Sequence, residues 1–152
     1  MRETTLRFVL VDKILELQAS KHILASKQVA QNEDYFADHF PGYPVVPGVL
    51  LVEMIAQTAG KCLMAGMDKS LWPVLLQIRQ ANFRKTVLPG SSLLIEAFIE
   101  SSTRSTATAT GIIRCEDQTV TEASFLFGFI PRIFLKEGFE DEVLKDYMDS
   151  QA

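Results

Sequence analysis

His39-Phe40-Pro41-Gly42-Tyr43-Pro44-Val45-Val46-Pro47-Gly48-Val49-Leu50-Leu51-Val52-Glu53 is the stretch on which the fold turns. Three prolines and two glycines fall between Pro41 and Gly48. Proline fixes φ and has no N–H to donate, and glycine admits backbone shapes that other residues resist. The segment therefore predicts a stiff, irregular loop of one defined shape. From Val49 to Met64 the chain is nearly all apolar and free of proline, a length that suits a helix better than a strand. A helix apolar on most sides belongs in a core rather than on a surface. Within it Glu53, Gln57 and Lys61 recur every fourth residue, which stacks them on one face. A rigid loop bearing a histidine thus runs into a buried helix that carries a carboxylate near its start, the outline of an acid/base pair.

The flanking segments have the character of strands. Val11–Leu17 and His22–Val29 predict a hairpin turning at Gln18–Lys21. Asn32 is placed to cap a short helical turn through Phe36. Gly66 and Asp68–Ser70 end the long helix, and a strand centred on Val74–Ile78 follows within Trp72–Phe83. Val87–Ser92, with its Pro89-Gly90 pair, is a turn. Leu93–Ile99, Thr106–Arg114 and Val120–Phe129 are three further strands, joined at Glu100–Ser105 and Cys115–Gln118. Serial strands with short joins predict an antiparallel meander, and one long buried helix against it makes an α+β layer. Phe125, Phe127 and Phe129 are expected in its core. After Pro131, Phe139, Val143, Leu144, Tyr147 and Met148 recur at helical spacing and predict an amphipathic C-terminal helix.

Composition narrows the functional classes. The 152 residues fit one domain, 1–152, with residues from about 132 onward as a helical extension. A net charge of −4 argues against a broad nucleic-acid surface. Cys62 and Cys115, far apart and outside any Cys-x-x-Cys pattern, are expected to be ordinary reduced thiols. Two histidines without ligand spacing offer little to a metal. The apolar run at Val49–Met64 is short for a bilayer span of about 20 residues and holds three polar side chains. Met1–Thr5 carries no apolar signal core, so a cytoplasmic location is expected.

The motif His39-Phe40-Pro41-Gly42-x-Pro44-x-x-Pro47-Gly48-Val49-Leu50-x-x-Glu53-x-x-Ala56-Gln57 resembles the signature of the 3-hydroxyacyl-(acyl-carrier-protein) dehydratases of type II fatty acid synthesis, in their glutamate-bearing Z type. Weaker similarity extends from about Phe8 to Phe129, through Leu10-Val11-Asp12, Phe83-Arg84-Lys85 and Val87-x-Pro89-Gly90. The resemblance implies a hotdog fold, a curled antiparallel sheet wrapped around a long central helix. It implies reversible dehydration of 3-hydroxyacyl thioesters to trans-2-enoyl thioesters, with no cofactor beyond the phosphopantetheine that carries the substrate. It makes His39 the catalytic histidine and Glu53 the catalytic acid. Gly48 matches the glycine whose N–H polarises the thioester carbonyl. Gln57, on the same helix face, is expected either to support the site from behind or to serve the fold. Acyl carrier protein is the implied partner, with Arg84 and Lys85 as candidate contacts. A homodimer that shares its active sites, further assembled into hexamers in some members, is also implied. Relative to the family pattern, Thr4-Thr5-Leu6-Arg7 replaces a His-Arg-Tyr-Pro-like run, Lys61 stands at an apolar position, and the helix beyond Arg132 is an addition. These departures leave room for a specialised role in lipid, polyketide or pigment synthesis.

The residue types suit that chemistry. Removing the α-proton of a thioester builds negative charge on the carbonyl oxygen, and a backbone N–H at a helix N-terminus is already aimed at such charge. An imidazole exchanges protons near neutral pH. Hydroxide leaves badly, so the β-hydroxyl needs a proton or a strong hydrogen bond, which Glu53 would supply. Two other functions remain open on the same fold, an acyl-CoA thioesterase and a non-catalytic acyl-binding module. Lys61 on its own is expected to pair with an acid or reach solvent, and His22 to be filler in a strand.

Overall fold

The computed structural model describes residues 8–152; the departures at Thr4–Arg7 and the segment Met1–Thr5 lie outside them. Strands β1 (Lys13–Gln18) and β2 (His22–Gln28) form the expected hairpin. A 3₁₀ turn at Asp34–Ala37 leads to the proline loop and then to helix α1 (Gly48–Gly66). Strands β3 (Leu71–Phe83), β4 (Ser92–Ser102), β5 (Thr106–Cys115) and β6 (Gln118–Pro131) follow, then helix α2 (Glu142–Ser150). The sheet has six strands in the order β1-β2-β4-β5-β6-β3, all neighbours antiparallel, curled around α1. This is the α+β hotdog layer that the resemblance implies.

Three local expectations need correction. The sheet is a meander only through β4, β5 and β6; β3 pairs with β6 at the far edge. The intervening helix crosses the sheet's inner face, touching β2 through β6 on the way, so the next strand restarts on the other side. Asn32 caps nothing: the 3₁₀ turn starts at Asp34 behind Glu33 and has no side-chain cap. Phe139 does not belong to α2, which begins three residues later behind Asp141; Gly138, with φ +75°, turns the chain between them and the preceding strand.

The helix is held by shape as well as by burial. Met54, Ile55, Ala59 and Cys62 are wholly buried and meet Ile95, Ala97 and Phe125 of the sheet. At β5 the approach is so close that a Cβ on Gly111 would lie 2.2 Å from Ile55 Cγ2. A larger residue there would have to displace the Ile55 side chain. By length and mean hydropathy, 19 residues at 1.3, α1 would suffice to cross a membrane, so the expectation that it is too short does not hold. Its apolar character is accounted for by the sheet around it. The β5–β6 turn is tight. Glu116 and Asp117 take φ +51° and +62° between the paired Cys115 and Gln118, the two-residue turn that matches strand twist.

Both cysteines are unpaired thiols. Cys62 is buried on α1, and burial pushes its thiol up to about 11. Only the thiolate attacks an alkylating agent. In the native protein at pH 8 iodoacetamide is therefore expected to label Cys115, which is partly exposed, and to spare Cys62 until the chain is denatured. Mass spectrometry of the labelled peptides checks this; equal labelling of both would contradict the packing.

Candidate active site

The proline loop owes its shape to paired hydrogen bonds. Tyr43 N–H donates to Phe40 O at 2.9 Å and Phe40 N–H to Tyr43 O at 3.0 Å. Pro41 and Gly42, the latter at φ +78°, occupy the two central positions, the residue preference of a type II turn. The His39–Phe40 peptide is cis. His39 N–H donates to Tyr35 O at 3.0 Å, and Val45 N–H donates to His39 O at 2.9 Å. The imidazole lies 4.1 Å from the Phe40 ring, stacked at 26°. Its Nδ1 is 3.2 Å from Val45 O. A carbonyl oxygen only accepts, so Nδ1 carries the hydrogen and Nε2 holds a free lone pair. Loop and stacking together hold the half-buried ring in place, and Nε2 has no partner among the described residues.

Helix α1 opens beside this loop without a side-chain cap, because Pro47 occupies the capping position. Leu50 N–H and Leu51 N–H reach back to Pro47 O, at 2.9 and 3.3 Å. The N–H groups of Gly48 and Val49 have no partner among the described residues and lie at the positive end of a 19-residue helix. Phe83 closes over Gly48; a Cβ there would lie 2.8 Å from the ring.

Glu53 lies on the second turn of α1 in a cleft of about 430 Å³. Gln57 Nε2 donates to Glu53 Oε1 at 3.1 Å and to Phe8 O at 3.1 Å, while its Oε1 accepts from Leu10 N at 2.9 Å. Gln57 therefore fixes the carboxylate and fastens the N-terminal strap to the helix in one set of bonds. Lys61, one turn further, is 4% exposed and donates from Nζ to Asp141 Oδ2 at 2.8 Å. The lysine pairs with an acid, as expected, but the acid comes from the C-terminal extension. Trp72 of β3, Phe139 and Val143 complete the far end of the cleft. Two signals for that end stand in the sequence: Asp141 three residues before Leu144, an N-cap pattern that the side chain fulfils at 2.9 Å, and the aromatic at 139.

Within one chain the predicted groups are not all brought together. The cleft holds Glu53 and Gln57 but neither His39 nor Gly48. Arg84 and Lys85 follow directly on β3, next to Phe83 and so at the Gly48 end. Arg84 Nη2 donates to Glu122 Oε2 at 2.7 Å, and Lys85 Nζ bonds Gln118 Oε1. His22 bonds Glu96 at 2.7 Å across β2 and β4, with Arg114 on the same carboxylate at 3.3 Å; it is a strand residue with a structural partner. Among the described residues no cluster of three His, Cys, Asp or Glu could hold a metal ion.

Comparison with known proteins bears on these residues. A family model described as a FabA-like domain matches residues 4–124. The chain is 40% identical over 121 residues to the 3-hydroxyacyl-(acyl-carrier-protein) dehydratase FabZ of Petrotoga mobilis, across 80% of this chain and 86% of that protein. It is 38% identical to the FabZ of Fusobacterium nucleatum, across 79% and 85%. Among solved structures, a hypothetical thioesterase from Streptococcus pneumoniae with coenzyme A superposes with a TM-score of 0.61 at 18% identity, covering 78% of this chain and 85% of that one. At that identity the likeness speaks for the fold alone. The sequence matches, which span the proline loop and the whole of α1, place the chain in the FabA-like domain family, to which it belongs.

Proposed function

We propose that this protein is a hydro-lyase that converts 3-hydroxyacyl thioesters on acyl carrier protein to trans-2-enoyl thioesters and water, in cytoplasmic fatty acid synthesis or a related lipid pathway. One observation carries the reading: a histidine held by Val45 O with Nε2 free, on the loop that runs into two unbonded N–H groups at the start of α1, and a glutamate held by Gln57 on the next turn of that helix. In the proposed reaction His39 Nε2 removes the α-proton. The electron pair of that C–H bond moves to the thioester carbonyl oxygen, where Gly48 N–H bonds it; losing such a donor costs about 10²–10³ in rate. As the electrons return, the C=C bond forms and the β-C–O bond breaks. Glu53 passes a proton to the departing hydroxyl, and water leaves. The balance requires no metal and no redox cofactor, and the phosphopantetheine arrives with the substrate.

The separation of His39 from the Glu53 cleft supports a site shared between two copies of the chain. β3 is a 13-residue edge strand whose Leu76 and Ile78 are 58% and 50% exposed. A long apolar edge invites pairing with another strand. In the proposed homodimer, which can assemble further into hexamers, His39 of each copy meets Glu53 of the other. Lys85 faces only an uncharged partner and supplies positive charge for the carrier or its phosphate, with Arg84 beside it sharing Glu122. Residues 1–152 act as one such domain.

The test supplies 3-hydroxyacyl and trans-2-enoyl thioesters on acyl carrier protein and on CoA, and follows enoyl absorbance. Interconversion that His39→Ala abolishes is expected. Free thiol released without enoyl formation would make the protein a thioesterase. Tight acyl binding with no turnover would make it a binding module.

A further inference from the structure

The cleft beside Glu53 does not end within the part of the chain that the family model covers. It runs along one face of α1, past Gln57 and Gly60 to Lys61, and there Phe139–Val143, beyond residue 124, line it, with Asp141 bonded to Lys61. That lining is built, not incidental. Phe139 packs edge-on against Trp72, centroids 5.2 Å apart, while Arg132 lies over the same indole at 5.3 Å. Arg132 also holds Phe139 O through Nη2 and donates from N–H to Ser70 O at 2.7 Å. Asp141 caps α2 with Oδ1 and binds the buried Lys61 with Oδ2, so the extension is clasped to the central helix itself. Val143, Leu144 and Tyr147 seat α2 against the core.

We propose that this C-terminal segment is the length stop of the acyl cleft. The proposal rests on Glu53 marking the reacting end, as above. From Glu53 to Lys61 is eight residues, or about 12 Å along the helix axis. An extended chain advances about 1.2 Å per bond, three bonds to a fully extended residue. The cleft therefore takes an acyl tail of about ten atoms before the Trp72–Phe139 pair blocks it. The surfaces along it, Ala56, Gly60, Met64, Pro73 and Leu75, suit a hydrocarbon, and the buried Lys61 is already neutralised by Asp141. Gly60 keeps the passage open: it lies two turns beyond Glu53 on the same face, and a Cβ there would meet nothing within 4 Å.

Two substitutions push the limit in opposite directions. Phe139→Ala removes the stop, and Gly60→Leu fills the passage ahead of it with a residue that favours helix more than glycine does. The measurements are kcat/KM for 3-hydroxybutyryl, 3-hydroxyoctanoyl and 3-hydroxypalmitoyl carrier thioesters, and calorimetric binding of the matching saturated acyl-pantetheines. The long-to-short ratio is expected to rise about tenfold in Phe139→Ala and to fall about tenfold in Gly60→Leu, in both measurements. Turnover with an unchanged ratio in both variants would overturn the stop and leave the dehydratase reading intact. Opposite shifts in binding without turnover of any substrate would keep the stop and remove the dehydratase. Binding of equal strength at every length in the parent protein would overturn the stop outright.

Discussion

An equimolar mixture of His39→Ala and Glu53→Gln chains, refolded together, is expected to regain about a quarter of the parent activity, although each variant alone is nearly inactive. Each substitution removes a proton-transfer group and should lower kcat by about 10²–10⁴. The recovery follows from geometry. His39 is held on its loop by Val45 O and does not line the cleft that contains Glu53. If each site draws its histidine from one copy and its glutamate from another, a mixed dimer keeps one intact pair of the two. Half of the dimers in a random mixture are mixed, which gives the quarter. Activity that stays at the level of the single variants, with mixed dimers demonstrated by differently tagged chains, would mean that the two groups do not meet across copies.

Lys61→Met is expected to destabilise the protein by about 3–5 kcal/mol, and adding Asp141→Asn should restore most of that loss. The ammonium and carboxylate are 5% and 15% exposed as side chains, so neither reaches enough water to stand alone. Removing the lysine strands the carboxylate. Asparagine in its place removes the charge but still accepts from Leu144 N, because asparagine caps helices as well as aspartate does. Asp141→Ala, by contrast, loses the cap and strands the lysine. Urea denaturation at one fixed protein concentration measures all three. If Lys61→Met matches the parent in midpoint and slope, the pair contributes nothing and the extension is held by its other contacts, Arg132 to Phe139 O and the apolar packing of α2.

The elements whose causes are local are legible in the sequence. Pro41-Gly42 specify their own turn, because a fixed φ next to a residue that tolerates φ +78° leaves little else. The spacing of Glu53, Gln57 and Lys61 put all three on one helix face, and all three line one cleft. The join at Cys115–Gln118 is legible as a short polar break between two strands, though not its two-residue form. The family motif added what spacing does not state, that the histidine and the glutamate belong to one reaction. It did not reach the extension, whose Asp141 and Phe139 lie outside the matched residues.

What the residues settle by themselves is therefore the kind of chemistry available, since φ restrictions, helix periodicity and side-chain acidity act over a few bonds. Which groups share a cavity was decided only by the tertiary structure. The seat of β3 at the far edge, the clasp between Lys61 and an aspartate eighty positions later, and the absence of His39 from the lining of its own chain's cleft all depend on how layers close over one another. Burial and packing act between residues remote in sequence, and no short-range pattern records that choice.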